Sequence, residues 1–115
     1  MEMEDNFECF KGMHESDYDL PEEITSKLLS PSLIIHMPMV RRNIAQVLKI
    51  VGENWFPHLK TTKIPQVWQC LLDAGIRNFK CSTTRELDIF CKLLLKNPHI
   101  TDVSILVAYP HCGPN

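Results

Sequence analysis

The chain has 115 residues, the length of one small domain, and 44% of them are hydrophobic, as in a globular protein. No apolar run approaches the roughly 20 residues that a membrane-spanning helix needs. Residues 1–5 are acidic and are not followed by the apolar core of a secretory signal peptide. The composition therefore argues against a membrane protein and predicts a cytoplasmic location.

Charge is distributed unevenly along the chain, although the net charge is only -2. Residues 1–23 carry nine acidic residues and one lysine, whereas residues 24–115 carry a net charge of +6. We expect an acidic extension at residues 1–29, followed by a folded domain at residues 30–115. A mildly basic domain suits an anionic ligand. Its basic residues are scattered and form no run with aromatics between them, so we expect no nucleic-acid partner.

The five cysteines form no CxxC pair, and their odd number and wide spacing indicate reduced thiols. Cys70 and Cys91 occur in apolar helical patterns and are predicted to be core residues. Cys81 ends a predicted strand, where a catalytic thiol is the minor alternative. His111 and Cys112 are adjacent, but a metal site needs three or four ligands, so we predict no metal site within this chain.

The first half of the domain predicts a strand, a helix and a second strand. Residues 32–37 are apolar and predict a strand, in which His36 is a structural histidine. A helix should begin near Pro38 and end at Gly52. Its apolar stripe has helical spacing and consists of Val40, Ile44, Val47, Leu48 and Val51. Residues 54–59 predict the second strand.

The second half repeats this alternation. A helix should start at Pro65, a strand should cover residues 76–81, and Thr83 with Glu86 has the spacing of a capping box that opens another helix. Residues 103–108 form an apolar run typical of a buried parallel strand. Short links between alternating strands and helices predict an α/β fold with a parallel sheet. Polar residues follow three of the predicted strands, as in βα barrels, whose chemistry gathers at the carboxyl ends of the strands.

One of these strand ends, residues 55–63, carries the functional prediction. Alternation along a strand would place Phe56, His58 and Lys60 on one face. In one interpretation Lys60 is a solvated lysine at the end of a strand. In the other, Lys60 points into a pocket and uses its amine as a nucleophile.

The run from Pro57 to Lys63, Pro-His-Leu-Lys-Thr-Thr-Lys, resembles the Pro-His-x-Lys-Thr-His-Lys signature of the D-threonine aldolase and D-serine dehydratase family. This family belongs to the alanine-racemase-like, fold-type III pyridoxal phosphate enzymes. Residues 30–44, 73–76, 79–83 and 107–114 also resemble its first βα units. The chain departs from the family at Phe56, where arginine is usual, and at Thr62, where histidine is frequent.

The resemblance implies an N-terminal portion of a pyridoxal phosphate-binding (β/α)8 barrel, with about three parallel barrel strands and their helices. Lys60 would hold the cofactor as a Schiff base and His58 would line its site. The implied enzyme is a lyase that acts on a D-amino acid and is homodimeric at full length. The phosphate-binding loops, and the ligands of any divalent metal, would lie beyond Asn115, so the chain alone should be inactive. Two alternatives are a non-catalytic carrier of pyridoxal phosphate and a folded remnant without a ligand.

Overall fold

The computed structural model describes residues 15–110, so the predictions for residues 1–14 and 111–115 lie outside the described part. The chain divides into two compact units between Ile34 and Ile35. In the first unit, a 3-10 turn at Glu15–Tyr18 precedes a one-turn helix, α1 (Glu22–Thr25). The helix buries none of its side chains, in keeping with the weak periodicity of this acidic part of the sequence.

The second unit begins with helix α2 (Met37–Val51). Pro38 lies in its first turn, where the missing backbone N–H costs no helical hydrogen bond. Gly52 ends the helix at a φ of 56°, a conformation that glycine adopts without strain. The strand predicted at residues 32–37 is wrong. Residues 32–36 have no regular structure, and Met37 is already helical.

The second predicted strand, at residues 54–59, is also replaced. A 3-10 turn at Gly52–Asn54 comes first, and another at Leu59–Thr61 follows. Between them, the extended chain makes one isolated parallel bridge, from His58 to Lys80. The Lys80 backbone N–H donates to the Pro57 carbonyl at 3.1 Å. Pro57 has no N–H of its own to offer a ladder, which is one reason why the pairing does not extend.

The remaining elements follow the predicted order. Helix α3 (Pro65–Asp73) leads to strand β1 (Asn78–Cys81), and helix α4 (Thr84–Leu95) leads to strand β2 (Ser104–Val107). The two strands are parallel, with Asn78 opposite Ser104 and Cys81 opposite Val107. With the bridge at His58, three extended segments lie side by side in chain order. The structure is therefore α/β with two parallel strands, where about three strands were expected.

The core lies between this small sheet and the helices. Phe90 of α4 contacts Trp68 of α3 edge-on, with ring centroids 5.9 Å apart, and packs on Phe79 of β1 at 4.6 Å. All three aromatic side chains are buried. Edge-on and tilted ring contacts of this kind add to the hydrophobic gain from burial. These contacts hold β1 and both flanking helices in one body.

Among residues 15–110, none of the helices combines the length and the apolar character that crossing a membrane requires.

Candidate functional site

Lys60 lies in the short 3-10 turn that follows the bridge at His58. The preceding residue, Leu59, is almost fully buried, and its carbonyl accepts a hydrogen bond of 3.3 Å from the indole N–H of Trp68. This buried contact ties the turn to α3. Lys60 itself is exposed to solvent. The backbone of the turn is therefore fixed, while the lysine side chain extends into solvent.

His58 is held at both ring nitrogens. Its Nδ1 accepts a hydrogen bond of 3.3 Å from the backbone N–H of Lys60, and its Nε2 lies 3.2 Å from Ser82 Oγ. Burial follows the predicted alternation only in part. Pro57 and Leu59 are buried while Phe56 and Lys60 are exposed, but Trp55 and His58 are both half-buried. His58 thus connects the lysine turn to the residue that follows β1.

Several charged groups surround the His58 ring. Partial burial lowers the pKa of His58 below its usual value, and the positive charges of Lys60 and Lys80 lower that pKa further. The carboxylate of Glu86 raises it, with a smaller effect. The balance favours a neutral imidazole at physiological pH.

Glu86, in the first turn of α4, anchors the loop after β1. Its Oε2 accepts a hydrogen bond of 2.8 Å from the backbone N–H of Ser82, and its own N–H donates to Thr83 Oγ1 at 3.1 Å. The side chain is 7% exposed, and its Oε1 lies 3.9 Å from Lys63 Nζ. The predicted capping role of Thr83 is confirmed, while the glutamate reaches back to Ser82. Lys63 has a left-handed φ of 54°, which is uncommon outside glycine.

The two faces of the sheet differ in character. Phe79 and Cys81 point into the core, while Lys80 between them is only half-buried. In β2, Leu106 lies opposite Lys80 and is 54% exposed. Paired residues share a face, so His58, Lys80 and Leu106 lie on the side of the sheet away from the core. We call this surface the open face.

Of the predicted site residues, the structure brings His58 and Lys60 together, and it adds Ser82, which follows β1 and was not predicted as a site residue. Lys80 and Glu86 were not predicted as site residues. The alternation of β1 and the capping-box spacing were the signals that could have identified them.

The other candidates contribute little to this site. Cys70 and Cys81 are buried, and burial raises the pKa of the Cys81 thiol, with Glu86 and Cys91 adding to the effect. The prediction that Cys91 is a core residue is wrong, because it is exposed on α4. No group of three or more potential metal ligands occurs within the described residues. His111 and Cys112 lie outside them.

A groove of about 540 Å³ lies at the opposite edge of the sheet, where the strands begin. Its walls include Trp55, Arg77, Asn78 and Asp102. The guanidinium of Arg77 already donates to the carbonyls of Leu72 and Ile76, at 2.9 Å each. The groove is therefore separate from the Lys60 turn, which stands beyond the carboxyl end of the extended segment.

Comparison of the chain with models of protein families, with curated proteins and with solved structures gave no match in any of the three.

Proposed function

We propose that this chain forms the first part of a pyridoxal phosphate-binding (β/α)8 barrel in which Lys60 carries the cofactor. The observation that carries the proposal is the placement of Lys60. Lys60 follows a parallel bridge at the carboxyl end of the sheet, and its backbone N–H donates to His58, whose ring also contacts Ser82. In βα barrels this is the edge at which active-site residues gather. The signature-like run from Pro57 to Lys63 points to the same lysine.

The barrel part of the proposal is supported by the open face. Three extended segments lie in parallel and in chain order, with helices packed against one side. Leu106 is largely exposed on the other side, and Lys80 stands beside it. Apolar side chains on the inner face of a barrel are normally covered by other strands. The open face would then be the inner wall of the complete barrel.

The residues present fit the requirements of the cofactor at its aldehyde end. Pyridoxal phosphate needs an amine for attachment and, as an anion, favourable positive charge nearby. Lys60 supplies an amine that is accessible to solvent, and Lys80 adds positive charge on the open face. His58, held neutral and tied at both nitrogens, would line the site as a fixed wall. When bound, the cofactor supplies an electron sink for bonds broken at the Cα of an amino acid.

The function that we propose for the complete protein is that of a lyase acting on a D-amino acid, either by aldol cleavage or by dehydration. The resemblance to the D-threonine aldolase and D-serine dehydratase family supports it. The protein would be a homodimer, and any divalent metal would be bound by residues outside this chain.

A second candidate, a non-catalytic carrier of pyridoxal phosphate, is favoured by one observation. Lys60 is exposed, which suits a lysine that accepts and releases a cofactor. Thr62 stands where the lyase family often has histidine, and threonine cannot carry a proton as an imidazole does. A carrier would transfer its bound cofactor to an apo-enzyme without converting any amino acid.

The attachment site can be tested by trapping. The full chain is mixed with pyridoxal phosphate, reduced with borohydride and mapped by mass spectrometry of its peptides. We expect the phosphopyridoxyl group on Lys60 at cofactor concentrations that leave the exposed Lys27, Lys49 and Lys92 unlabelled. Lys60→Arg should abolish the label, and the matched variant Lys63→Arg should retain it. Labelling of Lys63 instead, or equal labelling of all exposed lysines, would refute the assignment.

A further inference from the structure

The hydrogen bonds of His58 define which of its nitrogens carries the proton. The backbone N–H of Lys60 can only donate, so His58 Nδ1, at 3.3 Å, must accept. In a neutral ring the hydrogen then resides on Nε2. This N–H donates to Ser82 Oγ, which lies 3.2 Å away.

This assignment depends on a neutral ring, and the groups that face His58 favour one. Partial burial lowers the pKa of His58, Lys60 of the turn and Lys80 of β1 lower it further, and Glu86 of α4 opposes them with a smaller effect. A doubly protonated ring would also leave the Lys60 N–H facing another donor.

The consequence for Ser82 is that its hydroxyl accepts from His58 and keeps its own hydrogen to donate. His58 therefore does not act as a base on Ser82, and the pair is not a serine nucleophile with its histidine. The backbone N–H of Ser82 is already bound to Glu86 Oε2. A hydroxyl that accepts one hydrogen bond becomes a better donor in the next.

The position of Ser82 determines what its hydroxyl can meet. Ser82 follows the last residue of β1, and its Oγ lies 3.2 Å from Nε2 of His58, which is bridged to Lys80 on the open face. Lys60 and Lys80 both act on His58, the direct partner of Ser82. The negative charge of Glu86 is partly compensated by two contacts. Its Oε2 accepts a hydrogen bond from the Ser82 N–H, and its Oε1 lies 3.9 Å from Lys63 Nζ.

We infer that Ser82 is an anion-binding residue whose hydroxyl, oriented by His58, donates to a carboxylate or phosphate oxygen beside Lys60 and Lys80. The inference rests on the proposed function only for the origin of the anion. A phosphate oxygen would belong to the cofactor, and a carboxylate oxygen to the amino acid.

The test uses the full chain with isotope-labelled histidine. The 15N chemical shifts of His58 report its tautomer, and inorganic phosphate and acetate are titrated separately. We expect the Nε2–H tautomer and a saturable shift of the His58 signals with at least one of the two anions. A response to phosphate alone assigns the phosphate group, and a response to acetate assigns a carboxylate. Ser82→Ala should weaken the apparent affinity by about tenfold or more, as expected for a hydrogen bond to a charged group.

Two further variants make the comparison specific. Ser82→Thr keeps the hydroxyl and should retain binding, even if Ser82→Ala proves poorly folded. Ser104→Ala removes an exposed hydroxyl from the same face of the sheet, at the first residue of β2, and should leave the titration unchanged. An Nδ1–H tautomer, the lack of a saturable response in the native chain, or an unchanged affinity in folded Ser82→Ala would overturn the inference.

Failure of this inference can be separated from failure of the proposed function. If pyridoxal phosphate labels Lys60 while Ser82→Ala binds anions normally, the cofactor assignment of Lys60 is retained and the anion-binding role of Ser82 is refuted. If anions shift His58 through Ser82 while Lys60 remains unlabelled, the anion site stands and the cofactor assignment fails.

Discussion

Replacing Glu86 by alanine tests whether the loop that carries Ser82 is held by a hydrogen bond or by an ion pair. The carboxylate makes both contacts, a hydrogen bond of 2.8 Å to the Ser82 N–H and a longer approach of 3.9 Å to Lys63 Nζ. The two contacts differ in burial, because the Lys63 side chain is 69% exposed and that of Glu86 is 7% exposed. The hydrogen bond should therefore dominate.

The expected magnitudes follow from this difference. Glu86→Ala leaves the partly buried Ser82 N–H without its acceptor, which costs about 1–3 kcal/mol of unfolding free energy. Glu86→Gln keeps an oxygen that can accept this bond and should cost less than about 1 kcal/mol. Lys63→Gln removes only a solvent-screened ion pair, worth at most about 1 kcal/mol. In a domain of this size, each 1 kcal/mol lowers Tm by about 4–8 °C.

The assay is urea unfolding of the four chains, followed by tryptophan fluorescence and by circular dichroism. The expected order of stability is native, then Lys63→Gln and Glu86→Gln close together, then Glu86→Ala well below. If Lys63→Gln were as damaging as Glu86→Ala, the ion pair would be the main contact. If Glu86→Gln were as damaging as Glu86→Ala, the charge and not the hydrogen bond would hold the loop.

Three other predictions concern pH, the acidic extension and turnover. The pKa of His58 is lower in the folded chain than its ordinary value of 6.5. The unfolded chain therefore binds the proton more readily, and the free energy of unfolding should fall as pH drops below about 6.5. In His58→Gln this part of the pH dependence should be absent. A pH dependence of stability that is the same in the variant and in the native chain would contradict the prediction. Deletion of residues 1–19 should leave a soluble, folded chain with an unaltered His58 signal, because this segment is strongly acidic and has no periodic apolar pattern. Loss of soluble protein would count against it. The 115-residue chain mixed with pyridoxal phosphate should form no aldehyde from D-threonine and no pyruvate from D-serine. The reason is that Lys60 is exposed to water in the described part of the chain. Measurable product would contradict this prediction and indicate that the chain completes its site by self-association.

Helices were easier to predict than strands in this chain because their signals are local. Pro65 opens α3, Thr83 caps α4 and Gly52 ends α2, each through a backbone effect confined to a few residues. Residues 32–37 have the composition of a strand, yet a strand exists only where another segment pairs with it. Such pairing is a long-range property that composition does not report, and residues 32–36 have no regular structure.

The residues of the candidate site also differ in whether local or long-range information is needed to predict them. His58 and Lys60 are neighbours in the sequence, so a short motif could identify them together. Ser82 lies 24 residues further along and meets His58 only because β1 runs parallel to the extended segment. The capping-box spacing marked Glu86 as a helix residue. That its carboxylate reaches Ser82 instead of the backbone N–H of Thr83 depends on the geometry of the loop.

The chain of contacts from α4 to the lysine turn gives the site its physical character. Glu86 holds the Ser82 backbone, Ser82 accepts from His58, and His58 accepts from the backbone of Lys60. Each of these bonds fixes the backbone or the ring and leaves the Lys60 amine and the Ser82 hydroxyl hydrogen available. The available amine and hydroxyl hydrogen, together with Lys80 on the open face, are the groups that the proposed binding of an aldehyde with an anionic substituent would use.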